Sequence, residues 1–250
     1  MNLDSSYMMV DLETVPEDAR IGMTVDHAPG WERLVVKPEA KMVPGNYKTA
    51  DAISNWRAKE LTRYQNACAS AMVKAHEKAN AEWKKGSLNA MKGRIIAIAY
   101  SFGEEEPAVI ECPEDERFGL QTLNAMMDTR QPRHIVAHHG HGFDFPWLML
   151  RSMRHGLYPL ANVFFQEKPW DERLLDTKLM WPTIRGLTSS SLANTCAFLG
   201  IDHSEGNPID GSMVLDAYLD GRYGDICRHG LADIRDLRLL FKTLKQVRGM

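Results

Sequence analysis

The chain has 250 residues, 44% of them hydrophobic and 25% charged, enough to bury a full core at the upper edge of one ordinary domain. No apolar run approaches the roughly 20 residues that cross a bilayer, and the opening MNLDSSYMMVDLE lacks a basic start, an apolar stretch and a cleavage site, so a cytoplasmic protein away from membranes is expected. The net charge of -3 hides a segregation: residues 33–94 carry 13 Lys and Arg against 5 acids, a balance of +8, which leaves 17 against 28, or -11, elsewhere. A basic segment beside an acidic remainder suggests a phosphate-tracking surface next to a site that holds cations, although a Lys-rich helix face serves solubility equally well. The four cysteines, Cys68, Cys112, Cys196 and Cys227, lie far apart with no C-x-x-C spacing, as buried hydrophobes in a reducing compartment would.

In chain order, YMMVDLET is a short apolar run ending in acids and predicts a first strand. About 70 residues of different character follow. Within them Ile53, Trp56, Tyr64, Cys68, Met72, Ala75, Ala79 and Trp83 recur at spacings of threes and fours, which predicts one long helix ending at Gly86 with its apolar stripe packed into a core. GRIIAIAYSF (93–102) and AVIEC (108–112), joined by GEEEP, predict a β-hairpin. RFGLQTLNAMMDT predicts a helix, RHIVAHH a strand, and FDFPWLMLRSMRHGL a helix with Asp144 and Pro146 in its first turn. LLDTKLMWP opens as a short strand handing over at Asp176 and Thr177. TSSSLANTCAFLGI is a capped helix, and residues 213–247 give two helical stretches broken near Gly221 to Gly224. The pattern predicts a single α/β domain over 1–250, a mixed central sheet flanked by helices, with a basic helical insertion after the first strand at about 33–92.

Asp11 and Glu13 are i and i+2 on a strand, so both carboxylates leave the same face. Like charges that close repel unless a cation sits between them, and oxygen-only ligands suit a hard divalent ion. Asp144 follows a glycine-spaced loop at a helix start, and His229 and Asp233 are four apart on one helical face. Each is weak alone: Asp144 equally well caps a helix and Asp233 equally well sits at the surface, with Asp236 the alternative to Asp233 and Asp225 nearby. His134, His138, His139 and His141 invite a zinc reading, but no cysteine or further histidine completes a tetrahedron.

In this order, DLETVP, NYKTADAISNW with LNAMKGRIIAIAYSFG, VAHHGHGFDFPWLMLRSMRHGL, LLDTKLMW and DGSMVLDAYLDGRYGDICRHGLADIRDLRLLF cover most of the chain. Together they resemble the DEDD superfamily of 3′-to-5′ exonucleases, on the ribonuclease-H-like fold, and within it the predicted exonucleases similar to the proofreading domain of family B DNA polymerases. The resemblance implies an enzyme in which Asp11, Glu13, Asp144 and Asp233 hold two Mg2+ or Mn2+ ions about 4 Å apart, with His229 beside the attacking water. It implies substrate contacts from Thr14, His139 and Phe143, a capping role for Asp176 and Thr177, and single-stranded nucleic acid 3′ ends as partner, DNA ahead of RNA. Two departures stand out. His229 keeps the spacing to Asp233 that tyrosine members show, with Arg228 in the usual histidine position, and His139 replaces the usual asparagine. An exoribonuclease, a non-catalytic nucleic-acid-binding module, or a replication or repair subunit docking a protein through the insertion (Trp56, Trp83) are the other readings.

Overall fold

The computed structural model describes residues 7–19, 35, 41–165, 173–180, 191–201 and 207–248. The chain divides into two compact units, one formed by Met1–Ala19 with Gly86–Met250 and one by Arg20–Lys85, the second overlapping the insertion expected at about 33–92.

The first unit is built on five strands: β1 (Tyr7–Pro16), β2 (Gly93–Phe102), β3 (Ala108–Glu111), β4 (His134–Ala137) and β5 (Leu174–Asp176), side by side in the order β3-β2-β1-β4-β5. β1 is central, antiparallel to β2 and parallel to β4; β2–β3 is antiparallel and β4–β5 parallel. The sheet is therefore mixed, as expected. A strand with neighbours on both edges and helices on both faces must be apolar throughout, which is what YMMV supplies.

Side-chain alternation assigns the two faces of β1 to different layers. Met8, Val10 and Leu12 enter a core with Leu120 and Leu123 of α2 (Glu116–Arg130), Phe145, Trp147 and Leu148 of α3 (Asp144–Arg154) and Leu160 of α4 (Tyr158–Val163). Tyr7 and Met9 point the other way, onto Ile234, Leu237 and Phe241 of α8 (Tyr223–Arg248). Asp11 and Glu13 continue this second face, so they point toward the layer of α8. Short helices α5 (Thr177–Met180), α6 (Leu192–Phe198) and α7 (Val214–Leu219) complete the unit. The helix expected from Thr188 is described from its cap onward: Ser191 Oγ accepts from Asn194 N at 3.2 Å, while Thr188 to Ser190 lie outside the described residues. The break before α8 falls at Gly221, whose φ of 71° few other residues adopt. A buried staple locks the α2–α3 side: Glu116 accepts from Arg151 Nη2 at 2.6 Å and from the Ile95 amide at 2.7 Å, with His155 Nε2 at 2.7 Å.

The second unit is dominated by α1 (Ala50–Lys84), started by Thr49, whose side chain accepts from Ala52 N. Its stripe does not form the core that the spacing predicts. Among the described residues Glu60 is the one buried position of α1, held by Lys41 at 2.6 Å and by Arg63; Trp56, Tyr64, Cys68 and Trp83 are half-buried and Met72 is exposed. Helical periodicity reports which residues share a face, not whether enough chain packs over it.

Candidate functional site

The site begins with what surrounds β1. Asp11 pairs with Ala99 of β2 and Glu13 with Ala97, and a bulge follows between Glu13 and Thr14. Two alanines opposite the two acids leave room for α8 to come close. Gly230 completes that fit: a Cβ there would lie 2.9 Å from Ala99 Cβ and 3.7 Å from Glu13 Oε1. Only glycine lets the helix approach so nearly, and its neighbour His229 and the following Asp233 are thereby carried to the acids of β1. His229 Nε2 is 3.7 Å from Glu13 Oε1, and its Nδ1 is 3.8 Å from Asp233 Oδ1.

Asp144 arrives from the opposite side of the sheet edge. It is the first residue of α3, and the capping position before it, Phe143, makes no side-chain cap bond, so Asp144 is not the cap that the bland reading supposes. Its carboxylate accepts from its own backbone amide and that of Leu12, which ties it to β1. The loop that delivers it is compressed: Phe145 N donates to Gly140 O at 2.9 Å, and a Cβ on Gly140 would strike the Phe145 ring at 2.6 Å. Asp176, at the end of β5, pins the same loop by accepting from His139 N at 2.9 Å, His141 N at 3.1 Å and Lys178 N at 2.9 Å.

The electrostatics show which acids share one neighbourhood. Burial and then the charges of Asp233, Glu13 and Asp144 hold the Asp11 carboxyl well above its ordinary range, and burial with Asp233 and Asp144 does the same to Glu13. Asp144, 2% exposed, is pushed up to about 8 by burial and by Asp176 and Asp233, against the pull of its two backbone bonds. Glu13 Oε1 and Asp144 Oδ1 are buried with no hydrogen-bond partner. Buried carboxylates raised by the charge of Asp233, with orphaned oxygens on Glu13 and Asp144, have the donor chemistry that suits a hard divalent cation, which would neutralise the charge and fill the open lone pairs. Among the described residues no group of three or more His, Cys, Asp or Glu side chains is placed to hold a metal ion, the four acids included. The same observation leaves the four-histidine zinc reading without support: His138 Nδ1 is 2.9 Å from Thr177 Oγ1, His141 Nδ1 is 3.6 Å from Asp176, and His139 is exposed.

The remaining residues separate cleanly. Asp236 is fully buried, with its backbone carbonyl facing the Cys196 thiol, and Asp225 pairs with Arg222 at 3.0 Å and with Arg228; Asp233 is the α8 acid that acts on Asp11, Glu13 and Asp144. Arg228 is exposed, while His229, 7% exposed, faces the acids, because residues four apart align on a helix and residues five apart do not. Thr14 is buried with its hydroxyl donating to Ser87 O at 2.5 Å. His139 has φ 65° and its ring lies where a Gly142 Cβ would be, 2.3 Å from Cε1, while Phe143 is half-buried with its ring 5.5 Å from Trp147. Asn207 was not visible from the sequence: its carboxamide Nδ2 lies 3.0 Å from His229 Nδ1, and an isolated asparagine before a proline carries no signal of that contact.

No protein-family profile matches the chain. It is 27% identical over 144 residues to the PolC-type DNA polymerase III of Mycoplasma pneumoniae, a match covering 57% of this chain and 9% of that protein. The family B DNA polymerase of the hyperthermophilic archaeon Pyrobaculum calidifontis superposes with a TM-score of 0.55 at 20% identity, over 64% of this chain and 23% of that one. The chain is thus similar to a segment of one DNA polymerase and shares the fold of part of another, while spanning a small fraction of either. Among the described residues no helix is long and apolar enough to cross a membrane.

Proposed function

We propose that this chain is a metal-dependent 3′-to-5′ exonuclease of the DEDD type on a ribonuclease-H-like fold. It removes nucleotides from single-stranded nucleic acid, DNA in preference to RNA, as 5′-monophosphates. The observation that carries the reading is the disposition of Asp11, Glu13, Asp144 and Asp233, acids from a strand and two helices: the charge of Asp233 raises the other three, and Glu13 and Asp144 also raise Asp11. The sheet order and the similarity to two DNA polymerases support the fold and the substrate class.

In this reading the four carboxylates hold two Mg2+ or Mn2+ ions. When bound, these supply a lowered pKa for the attacking water and stabilisation of the leaving oxygen. The residues of the chain do the rest. His229 takes a proton of the water whose oxygen bonds to the terminal phosphorus; the bond from phosphorus to the penultimate O3′ breaks, and that oxygen leaves as the new 3′ end, taking its proton from solvent water. Phe143 and His139 border the loop before Asp144 and stack or hydrogen-bond the last nucleotide; Thr14, with its proton committed to Ser87, offers only acceptor lone pairs.

The test is a time course on 5′-labelled and 3′-labelled single-stranded DNA and RNA with Mg2+, Mn2+ or chelator, beside Asp11→Ala. The expected result is a ladder shortening from the 3′ end, abolished by chelator and by the substitution. Full activity in Asp11→Ala removes the metal assignment; nucleic-acid binding without any turnover in the wild type turns the reading to a binding module.

A further inference from the structure

The turn that leads into β2 holds two large apolar side chains in water. Leu88 is 71% and Met91 77% exposed, although the backbone that carries them is fixed from several directions. Within the turn the Asn89 amide donates to Gly86 O at 3.1 Å, the Lys92 amide to Asn89 O at 2.8 Å and the Met91 amide to the Asn89 side-chain Oδ1 at 2.9 Å. Ala90 is buried in the core, and its carbonyl accepts from Arg151 Nη1 at 3.2 Å. On one side the Thr14 hydroxyl, one residue beyond Glu13, donates to Ser87 O at 2.5 Å. On the other, Gly93 lies so close to α3 that a Cβ there would be 2.7 Å from the Trp147 ring, and that ring stands 5.5 Å from Phe143, the residue before Asp144. The turn is thereby joined to both elements that carry Glu13 and Asp144. Lys92 is exposed and forms no ion pair among the described residues: Glu17, whose amide donates to Lys92 O at 2.9 Å, gives its carboxylate to Arg151 and Arg154, each at 3.0 Å.

We propose that the turn from Leu88 to Lys92 is a nucleotide-binding element of this site: Leu88 and Met91 pack against unstacked bases at a single-stranded 3′ end, and Lys92 takes a backbone phosphate. The chemistry of the turn matches that of the strand it binds. Apolar base faces alternate with anionic phosphates along a nucleic acid, and here two apolar side chains accompany one uncompensated cation. Leucine and methionine are side chains that insert between base steps, and a lysine ammonium serves a phosphate as a point charge. A turn already held by its own hydrogen bonds loses little freedom when the strand arrives. Such contacts carry little sequence information, so they suit the removal of any terminal nucleotide. The inference rests on the proposed nuclease reading for the identity of the strand, but the contact it describes requires no turnover.

The test uses the full chain in chelator, so that binding is read apart from turnover. The variants are the double substitution Leu88→Ser with Met91→Ser, the single Leu88→Phe, and Lys92→Gln. The probes are single-stranded DNA oligonucleotides ending either in 2-aminopurine, whose fluorescence rises when it leaves the stack of its neighbour, or in abasic residues. The wild type should brighten the 2-aminopurine probe on binding. The double substitution should weaken that binding about 10-fold and remove the brightening, with an unchanged thermal melt, and should leave the affinity for abasic ends as it was. Leu88→Phe, which offers a broader face, should tighten binding of ends that carry bases. Lys92→Gln should weaken both kinds of end alike and reduce the salt dependence by about one counterion. Equal affinity of the wild type and the double variant for ends that carry bases, or an equal loss toward abasic ends, overturns the proposal. Base-dependent binding by the wild type with no cleavage once Mn2+ is supplied overturns the nuclease reading and keeps the turn as a nucleotide contact; cleavage from the 3′ end that the double substitution leaves unchanged does the reverse.

Discussion

Asp144→Asn is the perturbation that most directly measures the strain in the acid cluster. Asn keeps the volume of the side chain and an oxygen for the backbone amides of Asp144 and Leu12, and removes only the charge. An ordinary aspartate titrates near 3.8, and burial with neighbouring acids pushes Asp144 up to about 8. A folded-state value above the unfolded one means that stability is fully present below about pH 4 and is lost as pH rises toward 8. At pH 7 the gap between pH and the unfolded value is about three units, so at 1.36 kcal/mol per unit the wild type carries a penalty on the order of 4 kcal/mol there. The neutral variant does not. Thermal unfolding in chelator at pH 4.5, 7 and 8.5 should therefore show Asp144→Asn gaining on the wild type as pH rises, by up to roughly 10 °C in melting temperature at the alkaline end. On the proposed metal assignment, added Mn2+ should reverse the ranking, because an ion that replaces protons would stabilise the wild type most at high pH and would lose a ligand in the variant. A variant that is no more stable than the wild type at pH 8.5, or a stability gap independent of pH, refutes the account of a shared acid neighbourhood.

Two further outcomes follow from the geometry. Gly230→Val should force α8 away from Ala99, costing about 1 to 3 kcal/mol by overpacking, and should abolish hydrolysis by carrying His229 and Asp233 away from Glu13; chemical denaturation and the oligonucleotide assay check both, and a stable, active variant contradicts the close approach. Asp176→Ala should release three backbone amides of the β4–α3 loop and the start of α5 at roughly 1 to 3 kcal/mol per buried donor left unpaired, with hydrogen exchange quickening at His139 and His141. Unchanged exchange there would mean that the loop is held by Gly140 and Phe145 alone.

The parts of the site that were legible in the sequence are those set by local periodicity. D-x-E on an apolar run places Asp11 and Glu13 on one face because strand side chains alternate, and His229 and Asp233 align because residues four apart share a helical face. Asp144 at a helix start was legible from the glycine-spaced loop and the proline two residues on. Periodicity failed where partners are distant in the chain. Asp176 reads as a cap of its own short helix, yet two of its three amide partners lie 35 and 37 residues upstream. The stripe of α1 has the spacing of a core helix, yet among the described residues only Glu60 of that helix is buried, and Asn207 meets His229 where the turn through Gly211 passes over the ring.

What the amino-acid order determined by itself is therefore a set of faces: which acids leave a strand together, which residues share a helix side, and where the helices begin. Tertiary structure alone decided that these faces meet. The alanines of β2 and the missing side chain of Gly230 allow a helix from the far end of the chain to lie against β1, and close packing of that kind depends on shape complementarity between segments more than a hundred residues apart, which no local pattern encodes.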